Sequence, residues 1–406
     1  MKRAGSRNNI WSRATANRNP AAVMIIGIDA SRALTEQKTG TEAYAHHLIQ
    51  HLLPLAASAG HQIRLYFNVA DETVAASLQA RYPGDHVTIV NVPLRRLWTH
   101  VRLGWELRQS PPDLFFTPAH VIPAGYHGPS VATVHDLGYH HFPDAHPPNQ
   151  LRYLRWSTRH NAQVSRLVIV DSEATRQDLQ QLYGVPGEKI VVVYPGLTPG
   201  LAPVTDQAVL RAVARKYKIR GDYLLFIGTL QPRKNLARLI AAYDRYFESN
   251  DGQVHKLVLA GKLGWRSEGI VKALTSLKFP NYTGIITPGF IDEADKSALI
   301  SGATALLFPS LYEGFGFPAL EAQHCGTPVL TANSSSLPEI CGPDGALYID
   351  PEDLDAIHAG MLRLMREPEL RDRLSASGRE NSKRFSWQTA AAQVLELLEQ
   401  ASRGEA

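Results

Sequence analysis

Cysteine is scarce: Cys325 and Cys341 are the only two in 406 residues. That excludes a disulfide framework. Two thiols suit a reducing compartment, where small buried side chains are their expected role. Long apolar runs are also missing, and no segment reaches the eighteen or so residues of a membrane span. Residues 1–20 are basic and polar, without the apolar stretch of a secretory signal. They read as a disordered basic tail, and the chain as cytoplasmic. Neither charge sign dominates, with 42 Lys and Arg against 38 Asp and Glu. No nucleic-acid-binding module or basic–aromatic array is visible, which argues against that partner.

Positive charge is nevertheless concentrated in one place. Arg95, Arg96, Arg102 and Arg108 surround Trp98 and Trp105. The run Leu94 to Leu107 reads as an amphipathic helix with a basic face. Two roles fit it: contact with an anionic membrane surface, peripheral and on its inner face, or a solvated helix packed on its own domain.

From residue 22 onward, short β-branched and aliphatic runs alternate with helical ones. The first series is Val23–Ile28, Gln62–Val69, Val87–Val92, Leu114–Thr117, Val131–His135, Leu167–Asp171 and Ile190–Tyr194. Amphipathic stretches such as Thr41–Leu55 and Ser172–Tyr183 lie between them. Apolar strands separated by helices predict a parallel sheet covered on both faces. Pro195, Gly196, Pro199, Gly200 and Pro203 then punctuate the chain. The pattern restarts with Tyr223–Ile227, Leu257–Ala260, Gly284–Thr287, Ala305–Phe308, Val329–Leu330 and Leu347–Ile349. Helical runs Leu354–Met365, Glu369–Ser382 and Trp387–Gln400 close it. The fold class is therefore α/β: two tandem Rossmann-like, doubly wound domains facing each other across a cleft, over residues 21–200 and 201–384. A helical segment, 385–406, follows. A cleft lined by strand ends is the expected binding site.

The densest motif is Phe308-Pro-Ser-Leu-Tyr-Glu-Gly-Phe-Gly-Phe-Pro-Ala-Leu-Glu321. It turns a strand into a helix and sets two carboxylates, Glu313 and Glu321, beside a helix N-terminus that favours anions. A ligand with both phosphate and hydroxyl groups satisfies that combination, and a nucleotide sugar has both. A second motif, Phe226-Ile-Gly-Thr-Leu-Gln-Pro-Arg-Lys-Asn-Leu-Ala237, ends a strand at Gly228 and places Arg233 and Lys234 where a helix starts. Two cations there oppose the helix dipole. A diphosphate explains them; a solvated pair capped by Asn235 is the structural alternative.

Gly40, in Gln37-Lys-Thr-Gly-Thr-Glu42, precedes a helix and lets backbone approach a phosphate or sugar. His135 ends a strand, where it can hydrogen-bond a sugar hydroxyl, and Asp136 either orients it or caps a helix. His135, Asp136, His140 and His141 match no standard metal signature. Asp353-Leu-Asp355 suits the first turn of a helix better than a metal site. Gly314-Phe-Gly316-Phe-Pro-Ala319 fits a dinucleotide fingerprint, but the first strand lacks the motif and no acid receives a ribose about twenty residues on.

Together these motifs resemble the retaining glycosyltransferases of family 4, which have the GT-B fold. The resemblance rests on Gly-Thr-Leu-x-Pro-Arg-Lys-Asn and on the Glu-x7-Glu of Glu313 and Glu321. Val134-His-Asp-Leu137 and Gly326-Thr-Pro-Val329 are similar to that family too. It spans Val23 to about Arg384. It implies that Arg233 and Lys234 hold the donor diphosphate, Glu321 the ribose, and Glu313 the sugar near the reacting centre. It places Gly316 and Phe317 against sugar or phosphate, Phe290 and Ile291 along the base, and Gly40 beside the diphosphate or the acceptor, with Gly228 among the substrate-binding residues. His135 contacts the sugar from the first, acceptor-binding domain, onto which the last helix crosses back. No metal or other cofactor is implied. The wording favours surface-polysaccharide mannosyltransferases using GDP-mannose and a glycan or lipid-linked glycan acceptor. UDP-glucose and a UDP-N-acetylhexosamine stand close behind as donors. A non-catalytic nucleotide-sugar-binding protein and an NAD-dependent oxidoreductase are the alternatives of another class.

Overall fold

The computed structural model describes residues 23–34, 40–248, 255–277 and 284–405. The tail over 1–20 and the residues Gln37 to Thr39 lie outside the described residues.

The first half runs β1 (Ile25–Asp29), α1 (Gly40–Ser58), β2 (Gln62–Phe67), α2 (Glu72–Arg81) and β3 (Val87–Asn91). A π turn (Trp98–Leu103), α3 (Gly104–Gln109), β4 (Leu114–Thr117), β5 (Ser130–Val134) and α4 (Gly138–His141) follow. Then come α5 (Pro148–Val164), β6 (Leu167–Val170), α6 (Glu173–Tyr183) and β7 (Ile190–Val192). The second half starts with α7 (Gln207–Lys216), β8 (Tyr223–Ile227), α8 (Leu236–Glu248), β9 (Lys256–Ala260) and α9 (Glu268–Thr275). It continues with β10 (Ile285–Gly289), α10 (Glu293–Ser301), β11 (Ala305–Phe308), α11 (Phe317–Cys325) and β12 (Val329–Ala332). It ends with α12 (Leu337–Cys341), β13 (Leu347–Ile349), α13 (Leu354–Arg366), α14 (Pro368–Ser382) and α15 (Trp387–Arg403).

Two parallel sheets result, in the order β3-β2-β1-β4-β5-β6-β7 and β10-β9-β8-β11-β12-β13. The sequence shows why. Leu114–Thr117, Leu167–Val170 and Ala305–Phe308 are buried at every position, as strands covered by helices on both faces must be. Each such Val, Leu, Ile or Phe contributes roughly 1.5–3 kcal/mol by leaving water. In both sheets the order reverses beside the first strand of the unit, between β1 and β4 and between β8 and β11. Ligand crevices open at such points, outside the carboxyl strand ends.

The expected continuous helix over Leu94–Leu107 is not formed. Leu97 has φ +56° and stops any helix from passing through it. The π turn begins only at Trp98, whose indole N–H donates to the Val92 carbonyl at 2.8 Å. The last helix, α15, packs on α1, and Trp387, Val394 and Leu398 belong to the core of the first sheet. His61 Nε2 lies 3.1 Å from Glu399 Oε1 across that contact. Trp387 also covers Gly196, where an added Cβ would lie 2.2 Å from the Trp387 nitrogen.

Candidate active site

The neighbouring strands β8 and β11 bring the cationic loop onto the acidic turn. After β8 the chain passes Gly228, at φ +145°. A short 3-10 turn, Pro232–Lys234, carries both cations, and Asn235 follows at φ +60°. The Asn235 amide donates to the Pro351 carbonyl at 2.6 Å. Only then does α8 start, at Leu236. The expected helix start at Arg233 or Lys234 is thus corrected: the left-handed Asn235 separates both cations from the helix.

Lys234 Nζ donates to Glu313 Oε1 at 2.5 Å, and Arg233 Nη1 to Glu313 Oε2 at 3.3 Å. Arg233 also donates to the Tyr312 carbonyl at 2.5 Å. Lys234 Nζ stands 4.9 Å over the Phe308 ring. The Lys234 and Glu313 side chains are only 10% and 7% exposed. Burial would raise the Glu313 pKa, but Lys234 and Arg233 outweigh it and hold the carboxyl below its usual range. Lys234 is pulled down by burial and by its like-charged neighbour Arg233, with Glu313 restoring only part. Two cations on one buried carboxylate are a poor device for stability. They leave positive charge in excess, which is what an anionic ligand needs.

Glu321 lies elsewhere. It is buried in α11 and accepts from Lys296 Nζ at 2.7 Å and from Thr198 Oγ1 at 2.6 Å. A hollow of about 250 Å³ opens beside it, lined by Thr198 to Leu201, Glu293, Ala294 and Ser297. Gly316, at φ +104°, starts α11, and the Phe317 ring reaches toward Gly40 of α1, 3.8 Å from where a Cβ would stand. Phe290 and Ile291 follow β10, the outer strand, two places from β8. Phe290 is about half exposed, with Lys262 Nζ 5.0 Å over its ring.

His135 differs from the expectation. Its Nδ1 meets Asp171 Oδ2 at 2.6 Å and its Nε2 the Pro118 carbonyl at 2.9 Å. The Pro118 carbonyl can only accept, so Nε2 carries a proton, and Nδ1 is taken up by the Asp171 carboxyl. Burial opposes a charge on the ring, but Asp171 overcomes it and holds the pKa above its ordinary value. The ring has no nitrogen left for a sugar hydroxyl. What His135 offers the cleft is its backbone carbonyl. The expected partner, Asp136, instead accepts from the Gly138 N–H at 2.9 Å. His140 faces the Tyr183 hydroxyl at 2.7 Å and His141 faces Asp178 at 3.1 Å. Asp353 caps α13, accepting from the Asp355 N–H at 2.8 Å. Among the described residues no group of three or more His, Cys, Asp or Glu is placed to hold a metal ion.

The two domains meet at the acidic turn. Ser172 Oγ donates to the Gly314 carbonyl at 2.6 Å. Tyr312 Oη donates to Asp178 Oδ2 at 2.6 Å and accepts from the Leu137 N–H at 3.2 Å. Glu339 reaches across to the start of α6, accepting from the Glu173 N–H at 2.8 Å and the Tyr194 hydroxyl at 2.8 Å. Gly314 sits so close that an added Cβ would be 2.1 Å from the His135 carbonyl oxygen. The apparent dinucleotide fingerprint therefore has another use: its first glycine admits the opposite domain. Asp171, Asp178, Thr198, Lys296 and Glu339 were not singled out in the sequence. Asp171 follows a strand end and Glu339 lies near a helix start, but nothing in the local sequence marks Asp178 or Thr198.

Two doubly wound sheets meeting at strand ends, with a cationic loop and a Glu-x7-Glu turn at the junction, define the class of GT-B glycosyltransferases. The family model for glycosyl transferases group 1 matches residues 214–381, and that for glycosyltransferase family 4 matches 38–200. O-antigen chain mannosyltransferase B of Escherichia coli is 30% identical over 298 residues, 72% of this chain and 76% of that protein. MMP alpha-(1->4)-mannosyltransferase of Mycolicibacterium hassiacum is 29% identical over 243 residues, 59% of this chain and 55% of that protein. Among solved structures, sucrose-phosphate synthase from Thermosynechococcus elongatus aligns with TM-score 0.70 at 20% identity, over 93% of this chain and 98% of that one. HepE of Anabaena, solved with UDP and glucose, aligns with TM-score 0.69 at 18% identity, over 93% and 100%. The chain belongs to the family 4 glycosyltransferases.

Proposed function

We propose that this glycosyltransferase is a retaining, metal-independent hexosyltransferase that moves mannose from GDP-mannose to a glycan or lipid-linked glycan. The observation that carries the reading is the Arg233–Glu313–Lys234 cluster beside the start of α11. The mannosyltransferase relatives support the choice of sugar. Breaking a sugar–phosphate bond builds negative charge on the leaving phosphate. Arg233, Lys234 and the first amides of α11 are preorganised to stabilise it. Glu313 and the phosphate steady the positive charge on the ring. In front-face transfer the acceptor hydroxyl enters on the leaving-group side and gives its proton to the phosphate oxygen. No dedicated base is then required. Glu321 takes the ribose, with Lys296 holding its carboxylate in place.

A thermal-shift panel of GDP-mannose, UDP-glucose, UDP-N-acetylglucosamine and NADH tests the donor. A ligand at a hundredfold its Kd stabilises by about 2.7 kcal/mol. GDP-mannose is expected to give the largest shift, reduced by Arg233→Ala. A larger shift with either UDP sugar moves the reading to that donor. Binding without turnover makes the protein a non-catalytic receptor, and a response to NADH alone overturns the transferase.

A peripheral membrane contact completes the proposal. Leu97, Val101 and Trp105 are each more than half accessible, in a segment that also carries Arg95, Arg96 and Arg108. Among the described residues no helix is long and apolar enough to cross a membrane. Phosphatidylglycerol vesicles should retain the protein, and Trp105→Ser should weaken that retention several-fold. Retention that ignores lipid charge, or survives the substitution intact, would remove the contact.

A further inference from the structure

We propose that Tyr312 is a positioning residue: its hydroxyl, seated in the first domain by Asp178 and the Leu137 N–H, fixes the peptide that carries Glu313 and receives Arg233. This rests on the transferase reading above and concerns how that site is assembled.

The motif Phe308 to Glu321 has four aromatic residues, Phe308, Tyr312, Phe315 and Phe317, and one of the four bears a hydroxyl. Phe308 and Phe315 belong to hydrophobic clusters. Tyr312 is equally buried but crosses into the other domain, with its ring against α4 and its hydroxyl on α6. The ring stacks on His141, with centroids 4.6 Å and planes 27° apart. Gly138 leaves room for it, since an added Cβ would stand 3.3 Å from Tyr312 Cδ1. The hydroxyl donates to Asp178 Oδ2 at 2.6 Å and accepts from the Leu137 N–H at 3.2 Å. A phenol has one proton to give and accepts one readily, so this socket fits it on both counts. Burial, the Asp136 carboxylate and the bond to Asp178 push the Tyr312 pKa above its ordinary value, so the proton stays on the hydroxyl. Asp178 is itself held, with His141 Nε2 3.1 Å from the same oxygen.

The backbone of the same residue serves the candidate site. The Tyr312 carbonyl accepts from Arg233 Nη1 at 2.5 Å, and the preceding Leu311 N–H donates to the Arg233 carbonyl at 2.9 Å. Arg233 is thus gripped at its backbone and at its guanidinium by the stretch that Tyr312 anchors. Its side chain also runs past the start of α4, where a Cβ on Gly138 would lie 3.5 Å from Arg233 Cδ. On the far side of Glu313 the second domain takes over. The Glu313 N–H donates to Ser335 Oγ at 3.1 Å, and Ser336 Oγ donates to the Glu313 carbonyl at 2.9 Å. Glu313 is therefore strung between the domains, tied to one by the serines and to the other by the Tyr312 hydroxyl. Such double tethering holds a carboxylate and a guanidinium in one arrangement before substrate arrives.

Nucleotide release from GDP-mannose, UDP-glucose and UDP-N-acetylglucosamine, with water as acceptor, tests this beside a GDP titration of the full chain. Tyr312→Phe is expected to lower kcat by roughly tenfold to a hundredfold, the worth of a hydrogen bond to a charged group. GDP affinity and stoichiometry should stay within about twofold, because the cations keep their place in the second domain. Asp178→Ala should match that loss, and Asp178→Asn, whose amide oxygen still accepts, should restore part of it. Combining Asp178→Ala with Tyr312→Phe should add little, since both remove one bond. Exchange of the Leu137 amide should quicken in Tyr312→Phe. Wild-type kcat in Tyr312→Phe overturns the proposal. Equal losses of kcat and GDP affinity make the residue merely structural and overturn it too, as do losses that multiply in the double variant. Failure of the transferase reading looks different: the wild type then releases nucleotide from none of the three donors. The seat is then judged on Leu137 exchange, and an unchanged rate overturns it as well.

Discussion

Alanine at position 314 is expected to keep the two domains apart and to lower kcat/KM on the order of a hundredfold. Gly314 does not have a positive φ, so alanine is conformationally allowed there. The obstacle is the neighbour. The new methyl would stand 2.1 Å from the His135 carbonyl oxygen and 2.7 Å from Asp136 Cβ, both in the opposite domain. Ordinary contact is more than an ångström longer, so the acidic turn must withdraw. Withdrawal also breaks the Ser172–Gly314 hydrogen bond. A misplacement of about 1 Å at a reacting centre is enough for a loss of that size. Arg233 and Lys234, proposed above to hold the diphosphate, stay with the second domain, so nucleotide affinity should change little. Steady-state kinetics beside a GDP titration checks both halves. A variant with wild-type kcat/KM would mean that the junction seen here is not the one in which transfer occurs.

Glu313→Ala is expected to cost the fold about 3–5 kcal/mol, the usual penalty for removing one partner of a buried ion pair. Lys234 and Arg233 would be left facing each other without their counter-ion. Turnover should fall further than GDP affinity, which is kept or rises because a diphosphate replaces the lost carboxylate. Saturating GDP should therefore recover part of the stability. Acid sharpens the test. Glu313 titrates below its unfolded value of 4.5, so its contribution is complete above that pH and is lost as pH falls through the folded value. The stability gap between wild type and variant should be flat from neutral pH to about 4.5 and close below it. Equal losses of turnover and GDP affinity, with unchanged stability, would make the ion pair incidental. Glu313→Gln, which keeps the shape, separates charge from packing.

Strand positions were legible because a strand buried on both faces has to be written in apolar residues. Leu114–Thr117, Tyr223–Ile227 and Ala305–Phe308 have the same bounds in sequence and structure. The helix over Leu94–Leu107 was read too long, since its apolar spacing is helical and nothing in the spacing announces a left-handed leucine at 97. The cationic loop was read as a helix start because the left-handed residue that separates it, Asn235, is also a good cap by composition. Local order could point to Glu313, Arg233 and Lys234, which lie in dense motifs on adjacent strands. It could not pair His135 with Asp171, 36 residues on, or Glu321 with Lys296, 25 residues back. Those pairings exist only once the sheets have set which loops are neighbours. Even His135 was legible as a residue of the cleft but not in its protonation, which depends on the Pro118 carbonyl.

The chain passes between the lobes twice, once on leaving β7 and again on entering α15, and the two passages touch where Gly196 lies against Trp387. Two tethers pinned at one spot behave as an axle. Sliding or wholesale separation of the lobes would tear Trp387 from the packing it shares with α1, whereas a rotation about that spot would keep it. Such a rotation would break the Ser172–Gly314 and Tyr312–Asp178 hydrogen bonds and leave the contact of Gly196 with Trp387 in place, so that each return would bring the acidic turn back to the same carbonyl.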